Sequence, residues 1–135
     1  VELDFHVDNY CQMVGDMVYL PPLLLSKFES NPFKREERTF PVDFAYRHSS
    51  NENITLTLPG EFEIVEAPPA INTQIDLLRF GCACKKDSNT VNYQRLFMLS
   101  RNKYPPKEYS RLRDAYEKIV SADQGQIVLK RVGGK

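Results

Sequence analysis

The first part of the chain alternates apolar and polar side chains at every second position. Leu3, Phe5 and Val7 alternate with acidic and polar residues, which predicts a half-buried strand. Further runs predict strands at residues 10–14, 17–20, 40–46, 54–58, 62–65, 73–80, 82–86 and 90–99. Many short strands divided by Pro and Gly turns are typical of a β-sandwich or barrel.

Polar segments between these runs are predicted to be loops. Residues 34–38 form a charged run expected to be solvated, and residues 48–53 are interpreted as a polar loop. Residues 86–89 are predicted to join two strands as a hairpin loop. Residues 23–33 fit either one helical turn or an apolar flap. The segment ends before Pro32, because the residue that precedes a proline is disfavoured in the α region.

The hydrophobic period changes near the C-terminus. Apolar residues recur there at helical spacing, namely at Tyr109, Leu112, Ala115, Tyr116, Ile119 and Val120. Pro105 and Pro106 suit the start of a helix and Gly125 its end, and residues 127–130 predict one more strand. We therefore predict an antiparallel β-sandwich, immunoglobulin- or fibronectin-like in outline, with one C-terminal amphipathic helix packed on or beside it. The buried helix residues are expected to be Tyr109, Leu112, Tyr116 and Ile119.

Length and composition narrow the class of protein. The 135 residues, 41% of them hydrophobic, fit a single domain over residues 1–135. Eighteen basic and eighteen acidic residues give no net charge, so no nucleic-acid partner is expected. The longest apolar run, residues 17–25, is too short to span a bilayer and contains two prolines. The N-terminus has neither an initiating Met nor a signal-peptide pattern, so we expect the chain to be a piece of a longer protein.

Two histidines are candidates for metal or catalytic chemistry. His6 has Asp4 and Asp8 on its own strand face, and two carboxylates beside an imidazole could hold a divalent ion. A solvated outer strand face is the favoured interpretation. His48 has no neighbouring acid in the sequence and is expected at the surface.

Three cysteines, Cys11, Cys82 and Cys84, cannot all pair within the chain. Cys82 and Cys84 are too far apart on a strand for an unstrained bridge, whereas a bridge from Cys11 to either one stays open. Buried free thiols are favoured over both. Lys85 and Lys86 could activate a neighbouring thiol, but the surrounding sequence has no cysteine-protease signature and no Cys-x-x-Cys spacing.

Other motifs for chemistry are missing from the sequence. It has no glycine-rich phosphate loop and no Gly-x-Ser-x-Gly, and Glu36 and Glu37 lie in a predicted loop. We therefore assign no catalytic, cofactor-binding or metal-binding residue and do not expect an enzyme. Inward positions are predicted for Phe5, Phe44, Phe62, Phe97, Tyr109 and Tyr116. An excess of cations around the helix could face an acidic neighbour or only solvent: Arg101, Lys103, Lys107, Arg111, Arg113 and Lys118.

Three stretches resemble a known family: residues 31–44, residues 104–113 and residues 126–130. Over about Gly15 to Lys130 the chain is similar to the C-terminal domain, of unknown function, of bacterial transglutaminase-like, papain-like cysteine protease proteins. In that family a β-rich domain and a papain-like core precede this tail, which implies that residues 1–135 are the C-terminal part of a longer, multidomain protein. The resemblance implies a neighbouring transglutaminase-like domain as partner, and export to the periplasm or cell surface. The family's Cys-His-Asp machinery lies in the core, so no catalytic residue is carried over.

Three functional hypotheses follow. The first is a non-catalytic accessory domain that packs against the papain-like neighbour. An exposed apolar patch that matches the partner domain would favour it. The second is an independent peptide- or glycan-binding module, which would need a concave groove lined by Tyr and Phe. The absence of Trp weakens the glycan hypothesis. The third and weakest is a hydrolase using Cys82 or Cys84, which requires a thiol within hydrogen-bond reach of His6 or His48.

Overall fold

The fold consists of short antiparallel strands and one α-helix. The computed structural model describes residues 2–4, 6–23 and 26–132. Its strands are β1 (Gln12–Val14), β2 (Met17–Leu20), β3 (Val42–Asp43), β4 (Ser49–Thr57), β5 (Phe62–Glu66), β6 (Ile71–Gln74), β7 (Leu78–Asp87), β8 (Thr90–Leu99), β9 (Lys103–Tyr104) and β10 (Ile127–Arg131). A 3-10 turn, Pro106–Glu108, leads into helix α1 (Tyr109–Asp123).

The strands form two main sheets. Sheet I has the order β1-β2-β10-β5 and sheet II the order β4-β8-β7-β6, while β3 and β9 make a separate two-stranded ribbon. All of these pairs are antiparallel. The predicted antiparallel β-sandwich with one C-terminal helix is therefore confirmed over the described residues.

The inner face of sheet II is covered by two different elements. Sheet I packs on the hairpin end, where Val91 joins Val18, Leu20, Ile127 and Leu129 in one apolar cluster. Helix α1 packs on the rest of that face, together with residues from the segment between β2 and β3. The two clusters meet at Cys84, which contacts both.

Helix α1 buries the face that its sequence period predicts. Tyr109, Leu112, Tyr116 and Ile119 are all 5% exposed or less. The predicted burial of these four side chains is confirmed. At about 1.5–3 kcal/mol for each large apolar side chain, their burial is a large part of what holds the helix to sheet II.

The segment between β2 and β3 acts as a flap over the helix. Its described part contains no helix, and Leu24 and Leu25 lie outside the described residues. Phe28 stacks on Tyr116 with 5.5 Å between ring centroids, and Phe33 meets the same ring edge-on at 4.9 Å. Residues 34–38 are exposed loop, as predicted.

The strand predicted around Leu3, Phe5 and Val7 is wrong for the described residues. Residues 2–4, 6 and 7 lie outside any strand, and Phe5 lies outside the described residues. Leu3 is 77% exposed and Val7 is 46% exposed. An alternating pattern gives a stable strand only when other strands are available to pair with it, and none does so here.

Two further predicted strands have different bounds. The run 40–46 contains only β3, because Ala45 takes a φ of 64° and ends the extended backbone. The run 73–80 is divided by a turn between β6 and β7, in which the Ile75 N–H donates to the Leu78 carbonyl at 3.0 Å.

Residues 48–53 were predicted as a polar loop, yet residues 49–53 are the first half of β4. Here β4 pairs in continuous register with β8, from Ser49 opposite Met98 to Thr57 opposite Thr90. The outer face of this sheet is solvated, so backbone pairing with β8 holds the strand without large apolar side chains. The predicted hairpin loop between β7 and β8 and the last strand are confirmed.

Candidate binding groove

A groove of about 530 Å³ lies between helix α1 and the open edge of sheet II. On the sheet side it is lined by Ile71, Thr73 and Phe80, and on the helix side by Ala115, Ile119 and Ala122. Pro68 and Pro69, in the linker between β5 and β6, also line it. Its volume is within the range of ordinary ligand pockets, about 300–1,000 Å³.

Strand β6 forms the edge of sheet II beside this groove. Among the described residues it pairs with β7 alone, with Asn72 opposite Gly81 and Gln74 opposite Arg79. Because the Ile75 N–H bonds toward β7, alternation along an antiparallel ladder turns the N–H and C=O groups of Asn72 and Gln74 away from β7. The edge therefore presents free backbone donors and acceptors next to an apolar groove.

A buried ion pair fixes the helix that forms the groove wall. Arg95 on β8 donates two hydrogen bonds to Asp123 at the end of α1, from Nε to Oδ1 at 2.7 Å and from Nη2 to Oδ2 at 2.6 Å. Both side chains are fully buried. Asp123 also accepts the Phe28 N–H at 2.9 Å, so the same carboxylate holds the flap.

Cys11, Cys82 and Cys84 are free thiols, so the bridge from Cys11 that the sequence leaves open does not form. Burial raises the pKa of Cys11 and of Cys84, and the neighbouring Cys82 raises that of Cys84 further. Cys82 lies opposite Arg95 in the ladder, whereas the His48 carbonyl accepts the Leu99 N–H, four residues farther along β8. At about 3.3 Å a residue these positions are roughly 13 Å apart, beyond hydrogen-bond reach.

Tyr93 is the polar neighbour of Cys82 inside sheet II. Burial, followed by interaction with the Cys82 thiol, raises the pKa of Tyr93, so its hydroxyl stays neutral. Cys82 is 6% exposed and packs in the apolar cluster between helix α1 and sheet II.

The histidines lie at the surface. His6 Nε2 is 2.8 Å from Asp8 Oδ1, with both side chains more than 80% exposed. His48 is exposed, as predicted, and its ring centroid is 5.9 Å from that of Phe97. Within residues 2–4, 6–23 and 26–132, no group of three or more His, Cys, Asp or Glu side chains is placed to hold a metal ion.

Several cations predicted around the helix have acceptors within the chain. Arg101 pairs with Glu108 at 2.8 Å, Lys103 lies 3.7 Å from Asp43, and Arg111 pairs with Asp76. Arg113 donates to the Phe33 carbonyl at 3.1 Å. These contacts tie the helix and its approach to neighbouring loops, and the three ion pairs reduce the positive charge available to an acidic partner.

Two aromatic residues are strongly exposed at the ends of β3: Phe40 is 75% exposed and Tyr46 is 68% exposed. The turn that carries Tyr46 is built on a positive φ at Ala45, and Asp43 Oδ1 accepts the Ala45 N–H at 2.9 Å. A non-glycine residue held at positive φ is strained backbone that the surrounding bonds maintain.

The outer face of sheet II is rich in side-chain amides. Asn51, Asn53, Asn72 and Gln94 surround a shallow depression that includes Gly81. Asn92 donates to Asn53 Oδ1 at 2.8 Å. The chain thus presents polar amides on one side of β6 and an apolar groove on the other.

Sequence reasoning missed the groove and the ion pair, but the pair left a signal. Strand β8 alternates, and its inward-facing residues are Val91, Tyr93, Arg95, Phe97 and Leu99. Arg95 is the one cation among them. Asp123 continues the buried helix face one turn beyond Ile119. A lone buried cation needs an opposite charge, so the two positions could have been matched. The groove had no local signal, because its two walls are far apart in sequence.

Residues 16–129 match the model of a family described as a domain of unknown function with a solved structure, DUF3858. The chain belongs to the DUF3858 family. This match agrees in extent with the resemblance noted from the sequence. A crystal structure from Parabacteroides distasonis, described as that of a "putative protease", has the same fold, with a TM-score of 0.61 at 14% identity over 71% of this chain. The aligned part is 19% of that protein, so the DUF3858 chain corresponds to about a fifth of its length. No curated protein matches the chain.

Proposed function

We propose that the chain is a non-catalytic accessory domain that packs against and supports a transglutaminase-like core of papain-like fold in an exported bacterial protein. One observation carries the proposal: the same fold occurs as about a fifth of a larger protein described as a "putative protease". A non-catalytic domain of this kind acts through the surface that it packs against the core and through the stability that this packing adds.

The arrangement of reactive side chains supports a non-catalytic role. Cys82 and Cys84 lie on β7 of sheet II, and Cys11 directly precedes β1. The two imidazoles lie at the surface. A cysteine nucleophile needs a base at about 2.6–3.2 Å, and the ladder spacing keeps Cys82 well beyond that from His48. Cleavage chemistry is therefore proposed for the neighbouring core.

The residues proposed to meet the core are Phe40 and Tyr46, the two exposed aromatic residues on either side of β3. Large exposed aromatic side chains are the usual anchors of protein interfaces. The Asp43 side chain and the positive φ of Ala45 hold the backbone of the turn that carries Tyr46, so the path of this backbone is set before any partner arrives. A pre-ordered anchor loses less conformational freedom on binding than a flexible one.

The test uses the parent protein, with this chain and the protease-like core expressed as separate polypeptides. Association measured by isothermal titration calorimetry should be lost when Phe40→Ser and Tyr46→Ser are combined. Val65→Ser is the matched control, because Val65 is an exposed apolar residue, 46% exposed, on β5 of sheet I. Absence of association, or equal weakening by the control, would overturn the proposed packing surface.

The non-catalytic role has its own test. The purified chain is incubated with a fluorogenic peptide mixture and should give no cleavage above buffer. Thiol-dependent cleavage that disappears in Cys82→Ser or Cys84→Ser would overturn the role. Export is tested separately by fractionating the native cells, with cytoplasmic recovery as the contradicting result.

The second candidate function was a peptide- or glycan-binding module with a groove of Tyr and Phe. The groove beside α1 is lined mainly by aliphatic side chains, with Phe80 as its aromatic member among the described residues. It does not have the aromatic surface on which a sugar ring stacks, so the glycan form of this alternative is disfavoured. The peptide form depends on the edge of β6 that faces away from β7.

A further inference from the structure

The free edge of β6 is a template for another strand. Its outward N–H and C=O groups belong to Asn72 and Gln74, while Ile71 and Thr73 direct their side chains to the groove side. Among the described strands, β6 has β7 as its neighbour and nothing on its other side. Unpaired strand edges pair readily with an extended polypeptide.

The groove supplies the second half of a peptide site. Strand addition gains affinity from backbone hydrogen bonds and specificity from pockets that take alternate side chains. Beside β6, helix α1 forms the far wall of the groove through Ala115, Ile119 and Ala122. A strand added at the β6 edge would direct every second side chain into this space.

We propose that β6 and the groove beside α1 bind an extended peptide segment as an added strand, with uncharged aliphatic side chains at alternate positions. This site is independent of the Phe40 and Tyr46 surface and needs no residue of a neighbouring domain.

The charges around the groove favour an uncharged segment. Its charged lining residues are Glu66, Glu117 and Lys118. Glu117 accepts a hydrogen bond from Asn31 at 3.0 Å, and the three side chains together carry one net negative charge. This lining disfavours an acidic segment, and any charged side chain would lose water against the apolar walls.

The size of β6 argues against a second copy of this chain as the occupant. Four residues, Ile71–Gln74, span only about 13 Å, so pairing of two β6 edges is short. A specific protein interface needs about 1,000 Å² or more of buried surface. A single extended peptide can pair with the short edge and place its alternate side chains in the groove.

The test is a titration of the ¹⁵N-labelled chain with a synthetic decapeptide of alternating Val and Ser. The expected result is saturable shifts at the amides of Asn72, Gln74 and Ser121, with slower hydrogen exchange of the first two. A peptide of the same composition in Val-Val-Ser-Ser order cannot direct all its Val side chains to one face and should bind at least tenfold more weakly.

Two variants separate the edge from the groove. Asn72→Pro removes an outward N–H without removing a bond to β7, and should abolish the shifts, whereas Asn72→Thr keeps the donor and should bind. Ser121→Trp fills the rim of the groove, and Ser110→Trp places the same ring on α1 away from it. Well-dispersed spectra show that each variant is folded. No saturable shift at millimolar peptide, shifts confined to other surfaces, or unchanged binding in folded Asn72→Pro and Ser121→Trp would overturn the proposal.

Discussion

Arg95 and Asp123 form a doubly hydrogen-bonded ion pair between the middle of β8 and the last turn of α1. The guanidinium lies between the rings of Phe28 and Phe80, at 5.1 and 5.3 Å from their centroids. A carboxylate at a helix C-terminus is opposed by the helix dipole, so Asp123 is stable there because of Arg95. One pair thus joins sheet II, the helix and the flap.

Removing one member of this pair should cost much more than replacing both. We expect Asp123→Ala to lower the free energy of unfolding by about 3–5 kcal/mol, since it leaves Arg95 buried without a counter-charge. Urea unfolding followed by circular dichroism measures the loss. The double variant Arg95→Met with Asp123→Leu should recover part of it. An Asp123→Ala protein as stable as the unaltered chain would contradict the assignment.

Leu112 should tolerate no charge, because its side chain is fully buried between α1 and sheet II. Leu112→Asp is expected to unfold the domain or detach the helix, since burying an unpaired carboxylate is very unfavourable. Asp114→Asn, at an exposed position of the same helix, is the control and should change stability by no more than about 0.5 kcal/mol. Unchanged thermal melting of Leu112→Asp would refute the packing described above.

Gly125 should resist even an added methyl group. A Cβ built there would lie 3.2 Å from Pro68 and 3.1 Å from the Ala122 carbonyl oxygen. Gly125→Ala is therefore expected to lower stability by about 1–3 kcal/mol through overpacking. Gly60→Ala is the control, because a Cβ at Gly60 meets nothing within 4 Å. Equal midpoints of urea unfolding for the two variants would show that the linker containing Pro68 can move away from the added methyl group without loss of stability.

The thiols of Cys11 and Cys84 should react slowly. Burial raises the pKa of both, so less thiolate is present at mildly alkaline pH than in an unfolded chain. Reaction with a chromogenic aromatic disulfide is expected to be slow in the native chain and to become fast in urea. A thiol that reacts faster in the native chain than in urea would indicate an activated cysteine and contradict this account.

Asp76 should titrate below its ordinary value of 3.8, because the hydrogen bond from Arg111 stabilises the carboxylate and lowers its pKa. A lowered native pKa means that the pair stabilises the fold above the unfolded value and loses this effect as pH falls through the native pKa. Nuclear magnetic resonance of the side-chain carboxyl follows the titration. Arg111→Gln should return the pKa toward 3.8. No change in that variant would show that another group causes the shift.

Local periodicity predicted the elements whose burial pattern is regular. Helix α1 and strand β8 have the positions that the sequence indicates, because their inward residues repeat at the helical and strand periods throughout. The prediction failed where polarity or strain overrode the pattern. The first half of β4 has few apolar residues but a long partner strand, and the backbone at Ala45 turns away from the extended conformation.

The sequence by itself determined the β-rich class, the terminal helix and its buried face, because hydrophobic periodicity is a property of adjacent residues. Only the tertiary structure decided how sheet I and α1 divide the inner face of sheet II, that Arg95 meets Asp123, and that β6 is an open edge beside a groove. These features join residues that are distant in the chain, and which of them meet depends on the packing of all the elements together.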